Sequence, residues 1–269
     1  MLPPHRQAVI DELLSAGWIQ AVEWFSEIDS TSSAARRALP GLGQRLPALF
    51  VAERQTAGRG RNARAWWSPR GCLMLTLAID GRTLPDNPSE WKQLALVSGN
   101  AVAQAAERLV PQQTVQLKWP NDVYIHGRKV AGILIESAPG VTSDAATHPH
   151  WLLGLGLNVN MAWSDAPRDV ADKATCLSRC GGQEVDLGVA LVEVAHCLQS
   201  ELLRWREGSA QWLSEWRERC LLNGRQVEVR QTAERHIRGW CEGVDASGQL
   251  IVRTEQGTQL LSAGEVLAW

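Results

Sequence analysis

Between two short apolar runs, 48–52 and 72–79, the chain carries a stretch suited to neither helix nor strand: Gln55, Thr56, Ala57, Gly58, Arg59, Gly60, Arg61, Asn62, Ala63, Arg64, Ala65 and Trp66. Gly58 and Gly60 let the backbone approach a ligand and enter positive φ, while Arg59, Arg61 and Arg64 are planar, permanently charged donors for phosphate or carboxylate. The segment reads as a mobile anion clamp with the two glycines as hinges. It excludes two familiar nucleotide folds. Gly58, Gly60 and Ala63 imitate the dinucleotide fingerprint, but that motif must open a helix, and Trp66, Trp67, Ser68 and Pro69 follow instead. A phosphate loop ending in Gly-Lys-Ser/Thr is absent from the sequence. The competing reading is a solvated basic connector, for which two tryptophans beside three arginines are unusual company.

The apolar runs on either side read as buried strands, and the rest of the chain supplies partners for them. A helix is expected over 6–16, a strand over 22–28 and a helix over 30–39, with Asp29, Ser30 or Thr31 as its cap. Apolar residues then recur at helical spacing from Ser89 to Leu109, and again from Asp186 to Trp205, with a shorter helix over 209–220. Between the long helices lie strand-like runs at 115–118, 123–125, 130–136 and 151–160; the second and third flank His126, Gly127, Arg128 and Lys129, which suggests a hairpin. After Asn223 and Gly224 the pattern changes to short strand candidates at 226–230, 235–244, 250–254, 258–261 and 266–269, which suggests a small barrel. The expected fold is α+β: a mixed sheet with helices packed on it over 1–220, and a small C-terminal barrel over 221–269.

Charge and cysteine usage limit the partners. A formal net charge of -2 provides no global basic field for nucleic acid, so any anion site must be local. No apolar run reaches the ~18 residues of a membrane-spanning helix, and the N-terminus lacks a signal-peptide pattern. Six scattered cysteines point to a reduced, cytoplasmic protein. Cys176 and Cys180, near His148 and His150, lack the second ligand pair of a structural zinc site, so no metal site is assigned.

Two further clusters carry chemistry. Lys118, Trp119, Pro120, Asn121 and Asp122 precede the hairpin, and Lys129 to Glu136 follow its turn. A lysine near a sheet centre can hold a carboxylate and an α-phosphate together as one attacks the other, and Gly132 would leave room for a flat ring. An exposed turn lysine and a bulge glycine account equally well for those two residues alone. In Gly154, Leu155, Gly156, Leu157, Asn158 the glycines and Asn158 share one strand face while the leucines fill the other. Asn158 suits an adenine edge or a neighbouring strand.

Taken in order, Ser30-Thr31-Ser32, Gly58-Arg59-Gly60-Arg61 with Trp66, Lys118-Trp119-Pro120-Asn121-Asp122, Arg128 to Glu136 and Gly154 to Asn158 resemble the biotin protein ligase family from about residue 26 onward. The resemblance implies a class II aminoacyl-tRNA-synthetase-like core and an SH3-like C-terminal barrel. It implies ATP-dependent formation of biotinyl-5′-AMP, with Mg2+ accompanying ATP, and transfer of biotin to a lysine of a biotin carboxyl carrier protein. Ser30, Thr31, Ser32, Gln55, Arg59, Gly60, Arg61, Lys129 and Gly132 fall at biotin-binding positions. Arg59, Arg61, Arg64, Trp66, Lys118, Asn121 and Asn158 fall on the nucleotide side, and Lys129, Arg61 and Asp122 are the catalytic candidates. A homodimer is expected by the same analogy. Ser32 departs from the asparagine of many relatives, and 162–175, which the resemblance implies is a loop ordering over adenosine, lacks the tryptophan some of them stack on adenine. Lipoate or octanoate ligases and transferases of the same fold are the first alternative, disfavoured because their Arg-rich triple-glycine segment is missing. A biotin-responsive DNA-binding repressor is the second, disfavoured because about twenty-five residues before the motifs are too few for a helix-turn-helix domain.

Overall fold

The structure, a computed structural model, describes residues 3–85, 87, 90–138 and 149–269. Ser89 and His148 lie outside them. In chain order the elements are α1 (Pro4–Ser15), β1 (Ala21–Phe25), α2 (Thr31–Leu42), β2 (Ala48–Ala52), β3 (Cys72–Asp80), α3 (Leu94–Leu109), β4 (Val115–Lys118), β5 (Asp122–Ile125), β6 (Arg128–Ala138) and β7 (His150–Asn158). Then come α4 (Arg168–Ala171), α5 (Leu177–Gly181), α6 (Leu187–Arg206), α7 (Gln211–Arg219), β8 (Gln226–Arg230), β9 (His236–Val244), β10 (Leu250–Thr254), β11 (Gly257–Leu261) and β12 (Glu265–Ala268).

Strands β1 to β7 form one mixed sheet in the order β1-β2-β3-β7-β6-β5-β4. Only β1 and β2 run parallel, and the other neighbours are antiparallel. Both faces of its centre are covered, which is why β2 and β3 read as continuous apolar runs rather than alternating ones. Leu73, Leu75, Leu77, Leu153, Leu155 and Leu157 pack with Val97, Ala101 and Ala105 of α3 and Leu191, Val194 and Leu198 of α6. The opposite face is shared. At one end Phe50, Ala78 and Leu152 pack with Ala35 and Leu39 of α2; the remainder of that face holds a cavity.

Local chemistry explains most boundaries. Asp186 caps α6 by accepting from Val189 N at 2.9 Å. His126 and Gly127, both at positive φ, turn the β5–β6 hairpin. The expected helix from Ser89 resolves into a 3-10 turn over Glu90–Gln93 followed by α3. Ser30 sits at the N-cap of α2 but makes no side-chain cap bond; Asp29 instead accepts from Ser30 N at 2.7 Å and pairs with Arg37. The strand expected over 22–28 stops at Phe25, and the expected loop 162–175 contains α4.

Strands β8 to β12 make a second, antiparallel sheet in the order β11-β10-β9-β8-β12. It meets the large sheet near β4, where Trp119 Nε1 donates to Gly248 O at 3.1 Å and Leu221 N, just before β8, donates to Leu117 O at 2.8 Å. Val227, Val229, Cys241, Leu250 and Val252 continue the same apolar core that underlies the large sheet.

Candidate functional site

The cavity on the free face of the sheet has a volume of about 850 Å3, and every site residue expected from the sequence lines it. Its floor follows from strand register. Lys118 pairs with Asp122, Asp122 with Gly132, Gly132 with Gly156, and Gly156 with Met74, so these residues form one row across five strands. Paired residues share a face, and two adjacent glycines leave the middle of the row bare. A Cβ at Gly156 would lie 2.4 Å from Trp66 Cε2, and one at Gly132 would lie 3.0 Å from Trp66 Cζ3. The indole of Trp66 thus lies against the bare strip, brought there by the arginine loop.

That loop folds back on itself through Gly60 N to Arg64 O at 2.7 Å and Trp66 N to Gly58 O at 2.9 Å. One expectation fails here. Gly58 and Gly60 do not adopt positive φ; Asn62 and Ala63 do, at 56° and 57°. The hairpin needs its left-handed residues at its tip, and asparagine and alanine occupy that tip. Gly58 is demanded by close approach instead, since a Cβ there would sit 2.6 Å from both Ser68 Oγ and Trp66 O, whereas Gly60 has ordinary room.

Each arginine has a partner from a different element. Arg59 pairs with Glu136 of β6 at 3.0 Å. Arg61 donates to Asn121 Oδ1 and to Gly264 O, both at 3.2 Å. Arg64 pairs with Glu265 of β12. Burial holds the Arg61 guanidinium below its ordinary pKa, opposed by the charges of Asp122 and Glu265. Lys129 and Asp122 form an ion pair at 2.6 Å. Lys129 is fastened through its backbone as well: its N–H donates to Lys173 O and its carbonyl accepts from Thr175 N, both at 2.9 Å.

At one end of the cavity, Thr31 donates to Gln55 Oε1 from its N–H at 2.8 Å and from its hydroxyl at 3.1 Å. At the other, Lys118 is buried, donates to Val266 O at 3.1 Å and lies 3.5 Å over the ring of Trp269. Burial pulls its pKa down to about 8. Asn158 donates to Thr175 O at 2.9 Å, so in this structure it bonds the chain after α4.

One group of lining residues went unrecognised in the sequence: Arg230, Glu265, Val266 and Leu267 from the C-terminal sheet, with Trp269 just beyond it, carry no local motif. Asp169, Val170, Asp172, Lys173 and Ala174, around α4, belong to the stretch 162–175 that the resemblance singles out. The alternation Glu265-Val266-Leu267-Ala268-Trp269 signalled a strand, but docking between sheets determines what it faces.

Comparison with known proteins agrees with this arrangement. Residues 24–158 match the model of the biotin/lipoate A/B protein ligase family, and residues 223–269 that of the biotin protein ligase C terminal domain. A biotin–[acetyl-CoA-carboxylase] ligase of Mycobacterium tuberculosis is 30% identical over 98% of this chain and 96% of its own length. The chain belongs to the biotin protein ligase family. A bifunctional ligase/repressor BirA of Bacillus spizizenii is 30% identical over 81% of this chain and 65% of the relative. Among solved structures, the biotin protein ligase from Aquifex aeolicus in complex with biotin and ATP superposes with a TM-score of 0.76 at 29% identity, covering 92% of this chain and 97% of that one. Biotin protein ligases of this kind thus share both the large sheet and the C-terminal one.

Proposed function

We propose that the chain is an ATP-dependent biotin protein ligase that forms biotinyl-5′-AMP and transfers the biotinyl group to a lysine of a biotin carboxyl carrier protein. One observation carries the reading: the arginine loop and the Lys129–Asp122 pair, distant in sequence, face one cavity whose glycine floor seats the Trp66 indole. The biotin ring occupies the end built by Ser30, Thr31, Ser32 and Gln55, with its chain running past the Trp66 indole that rests on Gly132 and Gly156, toward Lys129. The nucleotide occupies the end bounded by Arg64, Trp66, Lys118, Asn121 and Asn158.

The biotin carboxylate attacks the α-phosphate and pyrophosphate leaves. Lys129 and Arg61 stabilise the charge that gathers on the phosphoryl oxygens, and their partial burial strengthens that interaction. Arg59 and Gly60 close over the mixed anhydride and keep water from it. Mg2+ enters as part of the nucleotide substrate, held chiefly by its phosphates. In the second half-reaction the acceptor amine attacks the carbonyl, AMP leaves, and Asp122, released from Lys129, orients the amine or takes its proton.

The match to the biotin protein ligase C-terminal domain favours biotin over lipoate. The division falls near Leu221, with 1–220 as a class II synthetase-like core and 221–269 as an SH3-like barrel, supported by register shifts at Leu250/Val252 and Val266/Ala268 that curl the small sheet. Six unpaired cysteines suit a reducing cytoplasm, and no helix among the described residues is long and apolar enough to cross a membrane. A homodimer is part of the proposal and is tested by sedimentation with and without biotin and ATP. The decisive experiment is transfer of labelled biotin to a carrier domain. Wild type transfers it and does not transfer lipoate, and Lys129→Ala loses at least about a hundredfold, the scale for removing one transition-state donor. Full turnover by Lys129→Ala removes the catalytic assignment.

A further inference from the structure

Thr76 has no place in the mechanism above, yet it is a fully buried hydroxyl at the centre of β3, beside Gly154 of β7. It does not line the cavity. Its Oγ lies 2.8 Å from Thr31 Oγ and 3.1 Å from Ser32 Oγ, joining a chain that ends at Gln55.

The direction of that chain follows from counting protons. A hydroxyl has one proton to donate and lone pairs to accept. Gln55 Oε1 can only accept, so the Thr31 hydroxyl spends its proton there and accepts from Thr76. Thr76 has then spent its own proton and must accept from Ser32. With its proton turned inward to β3, the Ser32 oxygen faces the cavity as an acceptor. The absence of a side chain at Gly154, where a Cβ would stand 3.0 Å from Ser32 Oγ, keeps that oxygen accessible.

We propose that Thr76 is a positioning residue which, through Ser32, makes this end of the cavity accept hydrogen bonds, and so selects the ureido N–H of the ring. This rests on the placement of biotin given above. Without the Thr76 hydroxyl, the Ser32 proton has no inward acceptor and turns toward the ligand, setting donor against donor. Such a site discriminates by proton polarity, because a buried polar group left facing its own kind is costly.

The test measures biotin-dependent pyrophosphate release by wild type, Thr76→Val, Thr76→Ser, Ser32→Ala and the Thr76→Val/Ser32→Ala pair. Thr76→Val raises KM for biotin roughly tenfold, the loss of one buried hydrogen bond, with kcat and KM for ATP within about twofold. Thr76→Ser restores the wild-type KM. The double variant costs no more than the larger single, because both break one relay. A wild-type KM in folded Thr76→Val, or additive losses in the double variant, overturns the inference. Parallel loss of kcat and ATP affinity in Thr76→Val, unrescued by Thr76→Ser, also overturns it by showing a general packing role. A wild type inactive with biotin instead defeats the assignment of function itself.

Discussion

Adding one methyl group at Gly156 tests whether the floor of the cavity has to be bare. The strand itself accepts alanine, since Gly156 lies in regular pairing with Met74 and Gly132 and has no positive φ. The whole conflict is with Trp66, whose Cε2, Nε1 and Cζ2 would stand 2.4, 2.5 and 2.7 Å from the new Cβ. Relaxed carbon contacts begin at about 3.5 Å, so the indole must retreat by about 1 Å. Trp66 is bonded to Gly58 through its N–H, and Gly60 is bonded to Arg64, so the shift carries the arginine loop with it. Arg61 then leaves its 3.2 Å contacts with Asn121 and Gly264. A misplacement of ~1 Å in a positioning group costs on the order of a hundredfold in rate, or about 2.7 kcal/mol. The expected outcome for Gly156→Ala is a fall of that size in kcat/KM for biotin, read by pyrophosphate release, with a melting temperature close to wild type. Activity within threefold of wild type refutes the reasoning, because it means the indole yields without moving the loop.

Two other outcomes follow from buried charge. Lys118, with a pKa lowered to about 8 by burial, is charged below that value and sheds its proton as pH rises through it, while the unfolded chain keeps the proton to 10.5. Burial of the charge thus costs stability below pH 8, and that cost disappears between pH 8 and 10.5. Attraction for the nucleotide changes in the opposite sense, so KM for ATP rises above pH 8 in wild type and stays flat over that range in Lys118→Gln; an identical pH profile for both refutes the role. Glu201 is fully buried between α3, α6 and α7, accepting from Asn100 at 2.9 Å and Gln104 at 3.1 Å and pairing with Arg204. Glu201→Ala leaves Asn100, Gln104 and Arg204 with Glu215 as their remaining carboxylate partner and costs roughly 1–3 kcal/mol, a drop of about 2–12 °C by calorimetry for a chain of this size, and a shift below about 1 °C contradicts that account.

How much of this was readable in the residues differs from element to element. Periodicity located α3, α6 and the strands β2, β3 and β7 to within a few residues, because burial on one helix stripe or on both sheet faces leaves a mark in every turn or pair. The alternate glycines of β7 announced a face without side chains, and the arginine loop announced itself as a cavity-lining segment, since both are local arrangements of a few side chains. The tip conformation of that loop was not legible: Asn62 and Ala63 take left-handed φ because backbone bonds between Gly60 and Arg64 require it. Thr76 was equally hidden, an ordinary strand threonine until α2 brings Thr31 and Ser32 to it.

Sequence by itself determined which chemistry the chain carries and which elements bear it: three arginines between strands, a lysine beyond a hairpin turn, glycines on one face. Tertiary structure alone decided that these converge, and that Glu265 and Val266 of the second sheet, with Trp269 just beyond it, close one end of the cavity against Arg64 and Lys118. The reason is distance along the chain. Contacts across tens to two hundred residues depend on sheet order and on the docking of one sheet against another, and no local preference of the residues involved encodes either.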